Sequence, residues 1–152
     1  MMMWPDRSDA HEAALSELMI AVIERFTPWR SQALSIRNLN RQVGDWRIRR
    51  ALQIIQEDGG RITQVDVVAK EAGLSRAHFF RLFESSIGVP PKVYLNVVRM
   101  ERAVDALLNR PANICAIGSE LGFAESAHFT RFFRSHAGVG PREFRNVSRV
   151  AR

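Results

Sequence analysis

The residues of this 152-residue chain whose types and spacing could do chemistry are two histidine–arginine pairs. They are His78 with Arg81 and His128 with Arg131. Each sits in the pattern His-Phe-x-Arg-x-Phe, and the two patterns lie 50 positions apart. Metal binding is the first chemistry to weigh. Neither histidine has a second His or Cys at a zinc-like spacing, so no metal site is read, and a helix-packing or phosphate-contacting role fits better. Catalysis is the second. Glu101, Glu120 and Glu125 form no paired-carboxylate arrangement, and no glycine-rich phosphate loop occurs, so the chain does not read as an enzyme. The single cysteine, Cys115, stands in the first turn of an expected helix without a CxxC partner. It reads as a buried structural thiol rather than a redox sensor or methyl acceptor, and it fits a reducing cytoplasm. Only Lys70 and Lys92 are lysines, and the dominance of arginine suits bidentate bonding of phosphate or of the O6 and N7 edge of guanine, although genome base composition explains it equally well.

The elements that must position these arginines are duplicated. Gly73-Leu74-Ser75-Arg76-Ala77-His78-Phe79-Phe80-Arg81-Leu82-Phe83 returns as Gly122-Phe123-Ala124-Glu125-Ser126-Ala127-His128-Phe129-Thr130-Arg131-Phe132-Phe133. Tails follow in kind, Gly88-Val89-Pro90-Pro91 with Tyr94 and Gly138-Val139-Gly140-Pro141 with Phe144. The glycines lie 49 apart and the histidines 50, so the second turn carries one extra residue. One supersecondary unit is used twice. Each copy reads as a helix-turn-helix. Thr63-Gln64-Val65-Asp66 reads as a capping box opening a short helix, Gly73 as the turn, and Ser75 as the cap of the next helix. Phe79, Leu82 and Phe83 then form one apolar stripe at i, i+3, i+4. The 3–4 spacing makes these rings core rather than a stacking platform for single strands. In the second copy Asn113 caps a helix through Ile114, Ile117 and Leu121. Gly122 turns it, and Phe129, Phe132 and Phe133 face inward. Gly118 interrupts that short helix, at a cost of about 1 kcal/mol relative to alanine.

These motifs, from Gly-Phe through His-Phe-x-Arg-x-Phe to Gly-x-x-Pro with Pro141-x-x-Phe144-Arg145, resemble the DNA-binding domain of the AraC/XylS family of bacterial transcriptional regulators. The resemblance covers roughly residues 46–145. It implies an all-α fold in which two helix-turn-helix subdomains are joined by a long connecting helix. It also implies base-reading candidates at the outward positions of each second helix: Arg76, Ala77, Phe80 and Arg81 in the first, Ser126, Ala127, Thr130 and Arg131 in the second. Ser75, Arg134, Arg142 and Arg145 are the phosphate candidates. Two residues depart from the family's pattern: Gly118 stands where alanine is usual, and Phe80 where a polar residue often is. Phosphate contact or an intramolecular salt bridge is the competing role for Arg81 and Arg131.

The expected organisation follows. Residues 1–45 hold an amphipathic helix over 9–26 and a polar linker, a remnant of a sensing or dimerisation region or a helix packed on its own domain. Residues 46–148 form the DNA-binding domain: a first helix from Trp46, a helix-turn-helix over 63–86, a connecting helix over 91–109 and a second helix-turn-helix over 113–137. Pro91 suits the first turn of the connecting helix and Pro111 forbids its continuation. Charge is uneven. Residues 1–46 carry five arginines and six acids, whereas residues 47–152 carry 17 lysines and arginines against ten acids. The positive surplus therefore sits with the duplicated units, as a polyanionic partner requires. The reading is a sequence-specific regulator of double-stranded DNA, an activator in contact with RNA polymerase, cytoplasmic and nucleoid-associated. No cofactor and no membrane span are read, and a homodimer would form through the N-terminal helix. The alternative is a helix-turn-helix interaction protein, or a truncated regulator, without specific DNA binding.

Overall fold

The computed structural model describes residues 43–62 and 64–150. Among them are seven helices and no strand: α1 (Trp46–Asp58), α2 (Val65–Glu71), α3 (Arg76–Ile87), α4 (Pro91–Asn109), α5 (Ile114–Glu120), α6 (Ser126–Ala137) and α7 (Pro141–Val150). The helix expected over residues 9–26, its linker and the dimer contact assigned to it lie outside the described residues, as does Thr63. Among the described residues no helix is long and apolar enough to cross a membrane.

The duplication in sequence is a duplication in structure. The helices α2 and α5 each have seven residues, and α3 and α6 each have twelve. Each short helix ends at a glycine with positive φ, Gly73 at 70° and Gly122 at 76°. The extra residue of the second copy falls in the turn before α6. Cap chemistry differs between the copies. Ser75 caps α3, its side chain accepting from the His78 amide at 3.4 Å, and Asn113 caps α5 by accepting from the Ala116 amide at 2.7 Å. The expected capping box at 63–66 is corrected: Gln64 is the N-cap of α2 and makes no side-chain cap bond. Asp66 instead lies in the first helical turn and bonds Arg76. At α6 the cap is Glu125, also without a side-chain bond.

Two apolar cores hold the elements. The first gathers Ile48, Leu52 and Ile55 of α1, Val68 of α2, Phe79 and Phe83 of α3, and Tyr94, Leu95, Val97 and Val98 of α4. The second gathers Met100, Ala103 and Leu107 of α4, Ile117 of α5, Phe129 and Phe133 of α6, and Phe144 of α7. Phe79, Phe83, Phe129 and Phe133 are wholly buried. Each contributes about 1.5–3 kcal/mol by leaving water. The ring contacts match as well. Phe83 meets Tyr94 edge-on at 5.6 Å, and Phe133 meets Phe144 edge-on at 5.3 Å. Thus α4 serves twice. Its first half closes the first unit as α7 closes the second, and its second half opens the second unit as α1 opens the first. Leu82 and Phe132, expected inward, are only half-buried at the core edges.

Gly118 has a steric reason to be glycine. A Cβ there would lie 3.0 Å from Cβ of the buried Phe129, so the residue lets α6 approach α5. Gly122 is more constrained. It combines positive φ with a close backbone approach, because a Cβ would lie 2.6 Å from the Gly60 carbonyl oxygen. Overpacking costs about 1–3 kcal/mol, and a left-handed backbone costs a side-chain-bearing residue roughly 1–2 kcal/mol more. Gly122→Ala is therefore expected to lower the thermal midpoint strongly, and Gly73→Ala, which meets only the backbone term, to lower it less. Equal losses in calorimetry would contradict the close approach.

Before α1, Asp45 caps the helix. Its carboxylate accepts from the Arg47 amide at 2.9 Å and from the Arg47 guanidinium at 2.8 and 3.1 Å. The hydrogen bond from the Arg47 side chain is the largest cause holding the Asp45 carboxyl down at about 2, against an ordinary value of 3.8. A depressed carboxyl stabilises the fold above its unfolded value and ceases to do so as pH falls through its folded value. The cap's ionic contribution should therefore be intact above pH 4 and vanish towards pH 2. Chemical denaturation across that window should give a shallower acid loss for Asp45→Asn than for the native chain.

Candidate nucleic-acid interface

The outward faces of α3 and α6 follow from what their inward faces bury. Phe79, Phe83 and Ile87 anchor α3, and Phe129, Phe133 and Ala137 anchor α6. The helical period then turns positions 76, 77 and 81 of α3, and 126, 127 and 131 of α6, to solvent. Arg76, Ala77 and Arg81 are exposed, as are Ser126, Ala127 and Arg131. Thr130 is half-buried. Both faces pair small side chains with an arginine, so backbone and guanidinium can approach a flat or grooved polyanion together.

The arginines differ in their engagements. Arg76 forms an ion pair with Asp66 at 2.9 Å, and its guanidinium lies 5.5 Å from the Phe80 ring centroid. Both members of that pair are solvent-exposed, so it is worth about 1 kcal/mol at most and is readily exchanged for another anion. Arg134 lies 3.9 Å from Glu143, a loose and exposed pair. Arg142 is exposed. The hydroxyl of Ser75 is already spent on capping α3.

Three expectations are corrected. Phe80 is not a free outward residue. It is half-buried, packs edge-on against Phe79 at 6.2 Å, and lines a cleft of about 350 Å³ with Asp66, Arg76, Lys92, Asn96 and Arg99. Arg145 is engaged within the fold. It is half-buried, and its Nε donates to the Leu107 carbonyl at 3.3 Å near the end of α4. Its Nη2 is buried without a partner among the described residues, which offsets part of that bond. Cys115 is exposed rather than buried, because α5 turns Ile117 and Gly118 inward instead.

Sequence reasoning missed Arg99 and Arg102 of α4. Arg99 donates from Nε to the Gly59 carbonyl at 3.3 Å and from Nη2 to the Ile62 carbonyl, and lies 5.5 Å from the Phe123 ring centroid. Burial pushes its guanidinium below the ordinary arginine value. Arg102 donates from Nη2 to the carbonyls of Gln56 and Glu57, the latter at 3.0 Å. Nothing in the sequence sets them apart from the other polar residues of α4, such as Lys92, Asn96 and Asp105, and the carbonyls they bond lie 37 to 46 positions away.

Two helix-turn-helix units on one connecting helix, each presenting an arginine-bearing outward helix, define a tandem helix-turn-helix protein. The comparisons with known proteins agree. A helix-turn-helix domain family model matches residues 68–146. The lactose operon transcription activator of Staphylococcus xylosus is 30% identical over 78 residues, covering 51% of this chain and 28% of that protein. The chain thus spans little more than a quarter of that relative's length. Among solved structures, a transcriptional regulator from Chromobacterium violaceum with an AraC-type DNA-binding domain is 28% identical. It superimposes with a TM-score of 0.59 over 67% of this chain and 91% of its own. The C-terminal domain of AraT, a response regulator from Geobacillus stearothermophilus, is 26% identical with a TM-score of 0.64, over 67% and 85% of the two chains. The chain belongs to the AraC-type helix-turn-helix family.

The two tail arginines should separate in stability measurements. Arg145→Ala should cost about 1–2 kcal/mol in urea unfolding, because it removes a charged hydrogen bond between α7 and α4. Arg142→Ala, at an exposed position, should stay within about 0.5 kcal/mol of the native chain.

Proposed function

We propose that this chain is a sequence-specific regulator of transcription that binds double-stranded DNA and lays α3 and α6 into two adjacent segments of the major groove. One observation carries the reading: two twelve-residue helices, each with an apolar back and an arginine on its face, stand on one connecting helix of 19 residues. At 1.5 Å per residue that helix is roughly 28 Å long. Successive major-groove faces on one side of a duplex are roughly 34 Å apart. The surplus of positive charge after residue 46 supports a polyanionic partner. The name of the staphylococcal relative supports activation.

In this reading Arg131 and Arg81 are the base readers, each suited to guanine O6 and N7, with Ala77 and Ala127 against thymine methyls. Ser126 and Thr130 are short polar readers of the same face. Arg76 joins them by leaving Asp66 for the duplex. Arg134 and Arg142 bind phosphate, which positions the protein without reading sequence.

Selection of bound duplexes from a random library, repeated at two salt concentrations, tests the proposal. A bipartite site with halves about one helical turn apart is expected. Salt-sensitive binding without enriched sequence would refute it. On the selected site, Arg131→Ala should cost about 1–3 kcal/mol of affinity and relax preference at one base pair. Arg142→Ala should weaken all sequences alike and lower the salt slope by about one.

A further inference from the structure

The contacts around Arg99 are hard to explain as support for one unit alone. Its Nε and Nη2 grip the carbonyls of Gly59 and Ile62, in the loop that leaves α1 of the first unit. Its flat face meets Phe123, in the turn that enters α6 of the second unit. Phe123 in turn packs on Phe129 at 5.5 Å and on Phe132 at 5.0 Å, both on α6. A continuous path of contacts therefore runs from the first unit, through Arg99, to the outward helix of the second. Beside it the two backbones nearly touch, since Gly122 leaves no room for a Cβ against the Gly60 oxygen and a Cβ on Gly60 would meet the Glu120 oxygen at 3.1 Å. Arg102, one turn further along α4, holds the end of α1 through the carbonyls of Gln56 and Glu57.

The geometry points to Arg99 as a positioning residue that locks α3 and α6 in one relative placement, and so selects the spacing between the two DNA segments the chain accepts. The consequence for DNA rests on the proposed function; the lock itself does not. A helix such as α4 fixes the distance between what it carries, but side contacts must fix how each unit leans and turns about it. Arginine suits the task because its planar fork donates to two carbonyls while its face stacks on an aromatic ring. Glutamine keeps polarity but has neither the charge nor the reach. Changing the spacing of two half-sites by one base pair shifts the second by about 3.4 Å and rotates it by roughly 35°. A locked pair of helices cannot follow that change, whereas a loosened pair can.

The lock is tested without DNA on the full chain carrying two spin labels, one at the native Cys115 of the second unit and one at Glu84→Cys on the exposed side of α3. The distance distribution should be narrow, and Arg99→Gln and Phe123→Leu should each broaden it. The double variant should broaden it no further, because both changes interrupt the same path of contacts in series. Helical circular dichroism confirms that each variant is folded, and the milder Phe123→Leu stands in if Arg99→Gln is not. Additive broadening, or a distribution unchanged in folded variants, overturns the proposal. On the selected bipartite site, one inserted or deleted base pair should cost the native chain roughly tenfold or more in affinity. Arg99→Gln should shrink that penalty to about threefold while binding an isolated half-site as the native chain does. Undiminished spacing discrimination in Arg99→Gln overturns the selection role. Failure of the native chain to enrich any site overturns the proposed function and leaves the label distances to decide the lock.

Discussion

The rest of the structure depends on one packing arrangement made twice: two phenylalanines one helical turn apart, driven into a core and closed by an aromatic ring from the next helix. Phe79 packs on Phe83, which meets Tyr94, and Phe129 packs on Phe133, which meets Phe144. Once those rings are buried, the rotation of α3 and α6 about their own axes is settled. Their opposite faces have nowhere to point but solvent. The placement of Arg81 and Arg131 is therefore a by-product of hydrophobic burial, not of any bond the arginines make. This is an economical way to hold a polar surface ready. Among the arginines proposed to meet a partner, the pairs that have to give way are exposed and exchangeable, Arg76 with Asp66 and Arg134 with Glu143.

Between the units a different physics operates. Each unit coheres through apolar burial, but the junction between them adds guanidinium bonds to backbone carbonyls, a ring face and a glycine–glycine approach. Such contacts are directional, so they fix an angle where greasy contact alone would permit sliding. They also satisfy carbonyls at the end of α1 that the helix itself leaves without partners. Arg99 and Arg102 thus do for α1 what a C-terminal cap does locally, but Arg99 from 40 positions beyond Gly59, and Arg102 from 46 and 45 positions beyond Gln56 and Glu57.

Most of the fold was legible in the sequence because its signals are local. The boundaries of α1, α4 and α6 follow from the glycine turns, the helix-starting prolines and the 3–4 spacing of apolar residues. The candidate faces were legible for the same reason, since periodicity alone turns positions 76, 77, 81, 126, 127 and 131 outward. What escaped was decided by partners distant in sequence. Arg142 and Arg145 look alike in the chain, yet only one meets a carbonyl from α4. Phe80 was drawn half inward by Phe79, the same ring that anchors α3. Gly118 read as a weak point of α5, and only the proximity of Phe129 reveals why a larger residue is shut out. At α2 the error was one of register: a box pattern placed the start at Thr63, whereas the helix begins after Gln64 with no side-chain cap.

The double duty of α4 has a consequence for how the chain folds and fails. Neither core is complete without a stretch of the same helix, and the two stretches meet between Val98 and Met100. Melting one core frays the helix that the other core requires, so the two units should share a single cooperative transition despite their separate interiors. A break within α4 would leave each fragment with an uncovered apolar face, and damage in one unit would be felt in the other. Duplication produced two helix-turn-helix units, but the shared helix makes them one thermodynamic object.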